Sequence, residues 1–221
     1  MAGPSYPQAE PTQGPEAEPT QGVGPMPRPW PADPRLDPEL LAAGDRRNVV
    51  DRYRFWTVAA IRADLDTRRH SFHVAIENFS HDFNIGSVVR TANAMQAAAV
   101  HIVGRRRWNR RGAMVTDRYQ HVEYHADAPA LESWGADRGL AIIGVDNLPG
   151  SVALETFDIP RDCVLLFGQE SSGLSPEAQE VCTALVQVTQ FGSTRSMNVG
   201  AAAAIVMHAW IRRHAFGQVP S

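Results

Sequence analysis

Lysine is missing from this chain: all 21 basic residues among its 221 are arginine. That excludes Schiff-base chemistry on a lysine amine, and it excludes a P-loop, whose GxxxxGK[ST] signature ends on a lysine. Cysteine is scarce too. Cys163 and Cys182 stand 19 residues apart with no CxxC or CxxH spacing, which argues against a structural zinc site; they read as buried thiols of a reducing cytosol. The eight histidines form no HxH or HExxH pattern, so no metal site is read from them. No stretch of about 18 uncharged apolar residues is present to span a bilayer. The start, MAGPSYPQAE, lacks the basic-then-apolar order of a signal peptide. A cytoplasmic protein with no membrane contact is expected.

What is present is unevenly spread. The composition, 43% hydrophobic and 20% charged, is that of a globular chain with a real core. Residues 1–44 hold 11 of the 16 prolines, the segment AEPTQG twice, and six acids against two arginines. They read as a disordered, acidic, proline-rich tail that cannot bury enough apolar surface to offset its ordering entropy. The formal net charge of −3 therefore hides a remainder of about +1 beyond the tail. Over residues 45–70, Val49, Tyr53, Trp56 and Ala60 recur at helical spacing, which predicts one amphipathic helix and a linker.

From residue 71 to 216 strand-like and helix-like segments alternate. FHVAIEN, VHIVG, LAIIGVD, CVLLFG and ALVQV read as strands, with helices over 86–98, 131–137, 176–183 and 197–214. Strands this apolar, separated by helices, predict an α/β fold with a mostly parallel sheet and helices on both faces. Ligands bind such sheets outside the carboxyl ends of the strands. Three loops placed there are polar and carry glycine: NFSHDFNIG, GQESSGLS and QFGSTRSMN. A dinucleotide site is excluded at GQESSG, because Glu170 stands where the Rossmann fingerprint needs glycine against a pyrophosphate.

Residues 84–92, NIGSVVRTA, resemble the first motif of the SpoU/TrmH family of RNA ribose methyltransferases. Residues 167–174, FGQESSGL, resemble its second, and SMNV at 196–199 with the alanine run resembles its third. All three occur in order, over roughly residues 70–215. The resemblance implies a deep C-terminal trefoil knot, an exception to the rule against threaded chains. It also implies a homodimer, S-adenosylmethionine as cofactor, and a tRNA or rRNA substrate methylated at a ribose 2′-hydroxyl. It assigns cofactor contacts to Val145, Gly168, Val188 and Met197. Arg90 becomes the residue that helps the hydroxyl react, Ser196 and Asn198 orient ribose and cofactor, Asn84 positions the backbone near Arg90, and Glu170 braces the loops. The family often has serine where this chain has Gly200, so that hydroxyl's role is either lost here or filled by Ser193 or Ser196. Arg105, Arg106, Arg107, Trp108, Arg110 and Arg111 predict an RNA-binding loop, guanidinium groups on phosphates and the indole stacked on a base. Two alternatives stay open: methylation of a base nitrogen, and a non-catalytic RNA-binding scaffold.

Overall fold

The computed structural model describes residues 22–79 and 84–218. The chain divides into two compact units, one ending at Thr57 and the other beginning at Val58. The predicted disorder of residues 1–21, with most of both AEPTQG repeats, lies outside the described residues.

Residues 22–57 differ from the expected tail and helix. Helix α1 (Pro38–Ala43) starts with Asp37 capping the amides of Glu39 and Leu40, and with proline at the first turn, where no amide hydrogen is needed. Leu41, Tyr53 and Phe55 are buried, so the segment has a small core despite its prolines. At its centre the Asp45 carboxylate is fully buried. It accepts from Arg47 Nε at 2.9 Å, Arg47 Nη2 at 2.7 Å and the Phe55 amide at 2.9 Å. The single helix predicted over 45–70 is broken. A 3-10 turn covers Asp51–Tyr53, Phe55 has φ +63°, and α2 begins only at Val58 (Val58–Asp66). A residue at positive φ cannot continue a right-handed helix, and Phe55 holds that conformation because its amide is tied to Asp45. Arg47 bonds to Asp45 and to the Trp56 carbonyl, and Arg54 to the Arg47 carbonyl.

The second unit is a seven-stranded sheet built from β1 (His73–Asn78), β2 (Val100–Gly104), β3 (Val122–His125), β4 (Ala141–Val145), β5 (Val152–Ala153), β6 (Cys163–Phe167) and β7 (Ala184–Gln187). Every pairing is parallel, in the order β3-β2-β1-β6-β4-β7-β5. Parallel strands need crossovers, and these supply helices α3 (Ile85–Ala94), α4 (Ala128–Ala136) and α5 (Pro176–Glu180), while α6 (Val199–His214) follows the last strand. α3 and α6 pack on one face, where Val88, Val89, Val206, Met207 and Trp210 join Phe72, Ile102 and Phe167. α4 and α5 cover the other, through Leu131 and Ala178 against Val103, Val164 and Leu166. The buried positions of α6 (Ala203, Val206, Met207, Trp210, Ile211) recur at three and four residues, one stripe of a helix. The α/β class with a parallel sheet and helices on both faces is thus observed. Strands β3 and β5 were not anticipated, being short and carrying polar residues (VEYH) or only two positions.

Among the described residues no helix is long and apolar enough to cross a membrane. Cys163 and Cys182 are free, and burial pushes both thiols up to about 12, so neither is nucleophilic at neutral pH. On the α4 face, burial holds the His73 ring down to about 4 and His101 down to about 2.

Candidate active site

The order β1-β6-β4 marks where the chain reverses its direction of travel across the sheet. From β1 it runs outward through β2 and β3, then returns to lay β6, β4 and β7 on the other side. Such a switch point leaves a crevice at the carboxyl ends of the strands. There a hollow of about 320 Å³ is lined by Val145 and Asp146 after β4, by residues 167–173 after β6, and by Val188, Gln190 and 195–197 after β7.

Backbone closeness shapes the central wall. A methyl added to Gly168 would lie 2.0 Å from Gly173 C and 2.2 Å from Leu174 N, so only glycine fits. The turn closes on itself through Gln169 N donating to Gly173 O at 3.0 Å and Gly173 N donating to Gln169 O at 2.9 Å. Asp146 ties it to β4, its Oδ2 accepting from Leu174 N at 2.8 Å. Below, the buried Glu77 at the end of β1 accepts from Ser175 N at 2.9 Å and from Ser175 Oγ at 2.7 Å. Burial raises that carboxyl's pKa, the Ser175 bonds lower it, and the raising effect prevails.

The three motif segments meet on one carboxylate. Glu170 Oε2 accepts from Asn84 Nδ2 at 2.9 Å and from the Val199 amide at 3.0 Å; Asn198 Nδ2 donates to both Glu170 oxygens at 3.3 Å. Asn198 Nδ2 also donates to Asn84 Oδ1 at 2.9 Å, while Asn198 Oδ1 accepts from Ala201 N and caps α6. One asparagine therefore does two jobs, capping the helix and joining the loops. The acidic Glu170 sits at the N-terminus of α6, where the helix dipole favours negative charge.

Arg90 lies on the exposed side of α3, past Asn84 and Ser87 at three-residue spacing. It makes no ion pair or hydrogen bond among the described residues. It borders the network but does not line the hollow. Ser196 and Met197 do line it, with Val145, Gly168, Glu170 and Val188. Neither Ser193 nor Ser196 is the serine beside Gly200. A methyl at Gly200 would lie 3.1 Å from Asn198 Oδ1 and 3.5 Å from Ser87 Cβ. Of the loop 78–86, residues 80–83 fall outside the described part.

The arginine loop is held next to this edge. Asn78 Nδ2 donates to Arg105 O at 2.6 Å and Arg107 O at 3.1 Å, and the backbone at Gly112 and Ala113 packs so closely on Gly86 that a side chain there would clash. Arg105, Arg106, Arg107, Arg110 and Arg111 are all exposed. Trp108 corrects the expectation of an indole stacked on RNA: it is 8% exposed, turned into the α3 face of the core. An indole buries more apolar surface than any other side chain, and here the loop closes over it. Sequence reasoning missed Asp146 and Glu77, whose only signal was a carboxylate within or just beyond an apolar strand. It also missed Asn147, whose Nδ2 donates to Arg195 O and fastens the loop after β7 to the loop after β4.

The family model described as the SpoU rRNA Methylase family matches residues 71–208. The chain belongs to this family. It is 32% identical over 141 residues to an uncharacterized tRNA/rRNA methyltransferase of Mycobacterium ulcerans, covering 61% of this chain and 44% of that one. A namesake in Mycolicibacterium smegmatis is 33% identical over 145 residues, with the same coverage. The chain thus spans less than half the length of these curated relatives. Among solved structures, the SpoU methyltransferase AviRb from Streptomyces viridochromogenes aligns with a TM-score of 0.62 at 22% identity, over 71% of this chain and 65% of that one. The TrmH/SpoU tRNA modifying enzyme of A. aeolicus aligns with 0.62 at 22%, over 74% and 87%. At that identity the likeness speaks for the SpoU fold.

Proposed function

We propose that this SpoU-family chain transfers the methyl group of S-adenosylmethionine to a ribose 2′-hydroxyl of tRNA or rRNA. One observation carries the reading. Three glycine-bearing loops, far apart in sequence, are joined through Glu170 at the rim of one hollow, and the helix bearing the exposed Arg90 begins at that joint. The relatives' names as tRNA/rRNA methyltransferases and the solving of AviRb with AdoMet bound support it.

The residues present fit the cofactor. The hollow offers bare main chain at Gly168, apolar walls at Val145, Val188 and Met197, and polar groups at Asp146, Gln190 and Ser196. When bound, S-adenosylmethionine supplies an electrophilic methyl on its sulfonium. The protein's task is to place the 2′-hydroxyl in line and stabilise the charge it develops. The Arg90 guanidinium is a planar cation with a fork of N–H donors. Lacking an internal carboxylate partner among the described residues, it is available to the alkoxide and to a substrate phosphate. Asn84 and Asn198 lock the start of α3 against α6, so Arg90 projects from a fixed helix. The five exposed arginines of 105–111 grip phosphates along the same edge. The trefoil knot and the homodimer belong to this reading. The groove of about 380 Å³ along α6, where Leu154, Phe157, Ile159 and Ile205 lie among charged residues and Ile205 is 42% exposed, supports a second copy covering that face.

The test is Arg90→Ala. Calorimetry is expected to show cofactor affinity within about twofold of wild type, while methyl transfer to total RNA is lost. A ribose-methylation map of RNA from a deletion strain is expected to lack one site. Loss of affinity and transfer together would make Arg90 structural, and an unchanged map would remove the ribose assignment.

A further inference from the structure

Away from the hollow, at the other end of the sheet, three neighbouring strands each place a histidine on the α4 face. His73 Nδ1 lies 2.9 Å from His101 Nε2, and His101 Nδ1 lies 2.9 Å from His125 Nε2. Trp134 of α4 roofs the row, its ring centroid 5.0, 4.3 and 5.8 Å from those of His73, His101 and His125. A fourth group completes the cluster. Strand register pairs His101 with Glu123, and the two-residue period of β3 puts Glu123 on the same face as His125. The donor atoms of His101, Glu123 and His125 all lie within 4.8 Å of one another.

We propose that His101, His125 and Glu123 form a binding site for one divalent transition-metal ion of the zinc type, with its remaining position open to solvent at the β3 edge. Two imidazole nitrogens and a carboxylate are a donor set that favours zinc, cobalt, nickel or copper over magnesium and calcium. Metal-bound histidines have their second nitrogen held by a partner, and His101 meets this requirement. His101 is held on its far side, its Nε2 2.9 Å from His73 Nδ1. Tetrahedral ligation at about 2.0–2.1 Å per bond asks for nitrogens about 3.3 Å apart. The 2.9 Å observed between His101 Nδ1 and His125 Nε2 is short of that by a few tenths of an ångström, within reach of small ring rotations. Glu123 is exposed on an edge strand, which gives the ion a way in. The Arg138 cation stacks over the Trp134 ring, 4.4 Å from its centroid. The sequence signal was the single dyad Glu123-x-His125, invisible to a search for paired histidines.

None of the three donors lines the hollow or belongs to the arginine loop, so the metal titration tests the site independently of the methyl-transfer reading. The full chain, made without a polyhistidine tag and stripped by chelator, is titrated with Co²⁺ by visible absorption and with Zn²⁺ by calorimetry. One equivalent of each is expected to bind, with cobalt d–d bands and no thiolate charge-transfer band. Glu123→Gln, at an exposed position, keeps the fold and is expected to weaken binding by about tenfold or more, and His73→Phe by about 10–100-fold. No binding near one equivalent, or equal affinity in Glu123→Gln, overturns the proposal and leaves the three rings as a hydrogen-bonded row.

Discussion

Replacing Gly168 by alanine puts the steric basis of the hollow to a direct measurement. The added methyl would sit 2.0 Å from Gly173 C, 2.2 Å from Leu174 N and 2.3 Å from Gly173 O, all main-chain atoms that cannot rotate away. Relief requires the turn to open, which breaks the two backbone bonds between Gln169 and Gly173 and the bond from Leu174 to Asp146. Two neutral bonds at about 1 kcal/mol each and one charge-assisted bond at about 1.5–3 kcal/mol sum to about 3.5–5 kcal/mol. At 1.4 kcal/mol per tenfold, cofactor affinity is expected to fall by at least about 100-fold. Calorimetry with S-adenosylmethionine, below the temperature at which circular dichroism shows unfolding, reads the loss. Gly24→Ala is the control, since Gly24, like Gly168, is not at positive φ and has no atom within 4 Å of an added methyl. Affinity of Gly168→Ala within about threefold of wild type would mean that the turn does not form the wall, and the reasoning would fail.

Trp108→Ala is expected to cost about 3–5 kcal/mol in urea unfolding, as for other large core truncations. A surface stacking residue would instead leave stability alone and weaken RNA binding. In the N-terminal unit, burial works against the Asp45 charge. The Arg47 guanidinium and the amides of Arg47 and Phe55 outweigh it and hold the carboxyl at about 2, below its ordinary 3.8. A depressed folded pKa lends stability that is present above pH 3.8 and drains as pH falls towards 2, here about 2 kcal/mol. Protease resistance of residues 22–57 should therefore decline over that window in wild type. Asp45→Asn should be weaker at neutral pH and flat below 4; a parallel decline in both proteins would refute the assignment.

Periodicity and local chemistry determined much of this protein. Apolar runs such as CVLLF can only be buried strands, and their alternation with amphipathic segments leaves a covered parallel sheet as the way to satisfy backbone and core together. The motif residues Asn84, Gly168, Glu170 and Asn198 were legible because each is a polar or glycine exception at the end of such an element. Only the tertiary structure decided where those exceptions point. Strand order brings the loops after β1, β4, β6 and β7 to one crevice, and pairing between distant strands cannot be read from spacing within any of them. The same holds for Trp108, whose arginine-rich surroundings suggest a surface while the close packing of its loop on Gly86 turns the indole inward. It holds again for residues 22–57, where Asp45 gathers Arg47 and Phe55 into a fold that composition alone denies. Short-range pattern sets what each segment can be; which segments share a charge or a cavity is a property of contacts far apart in the chain.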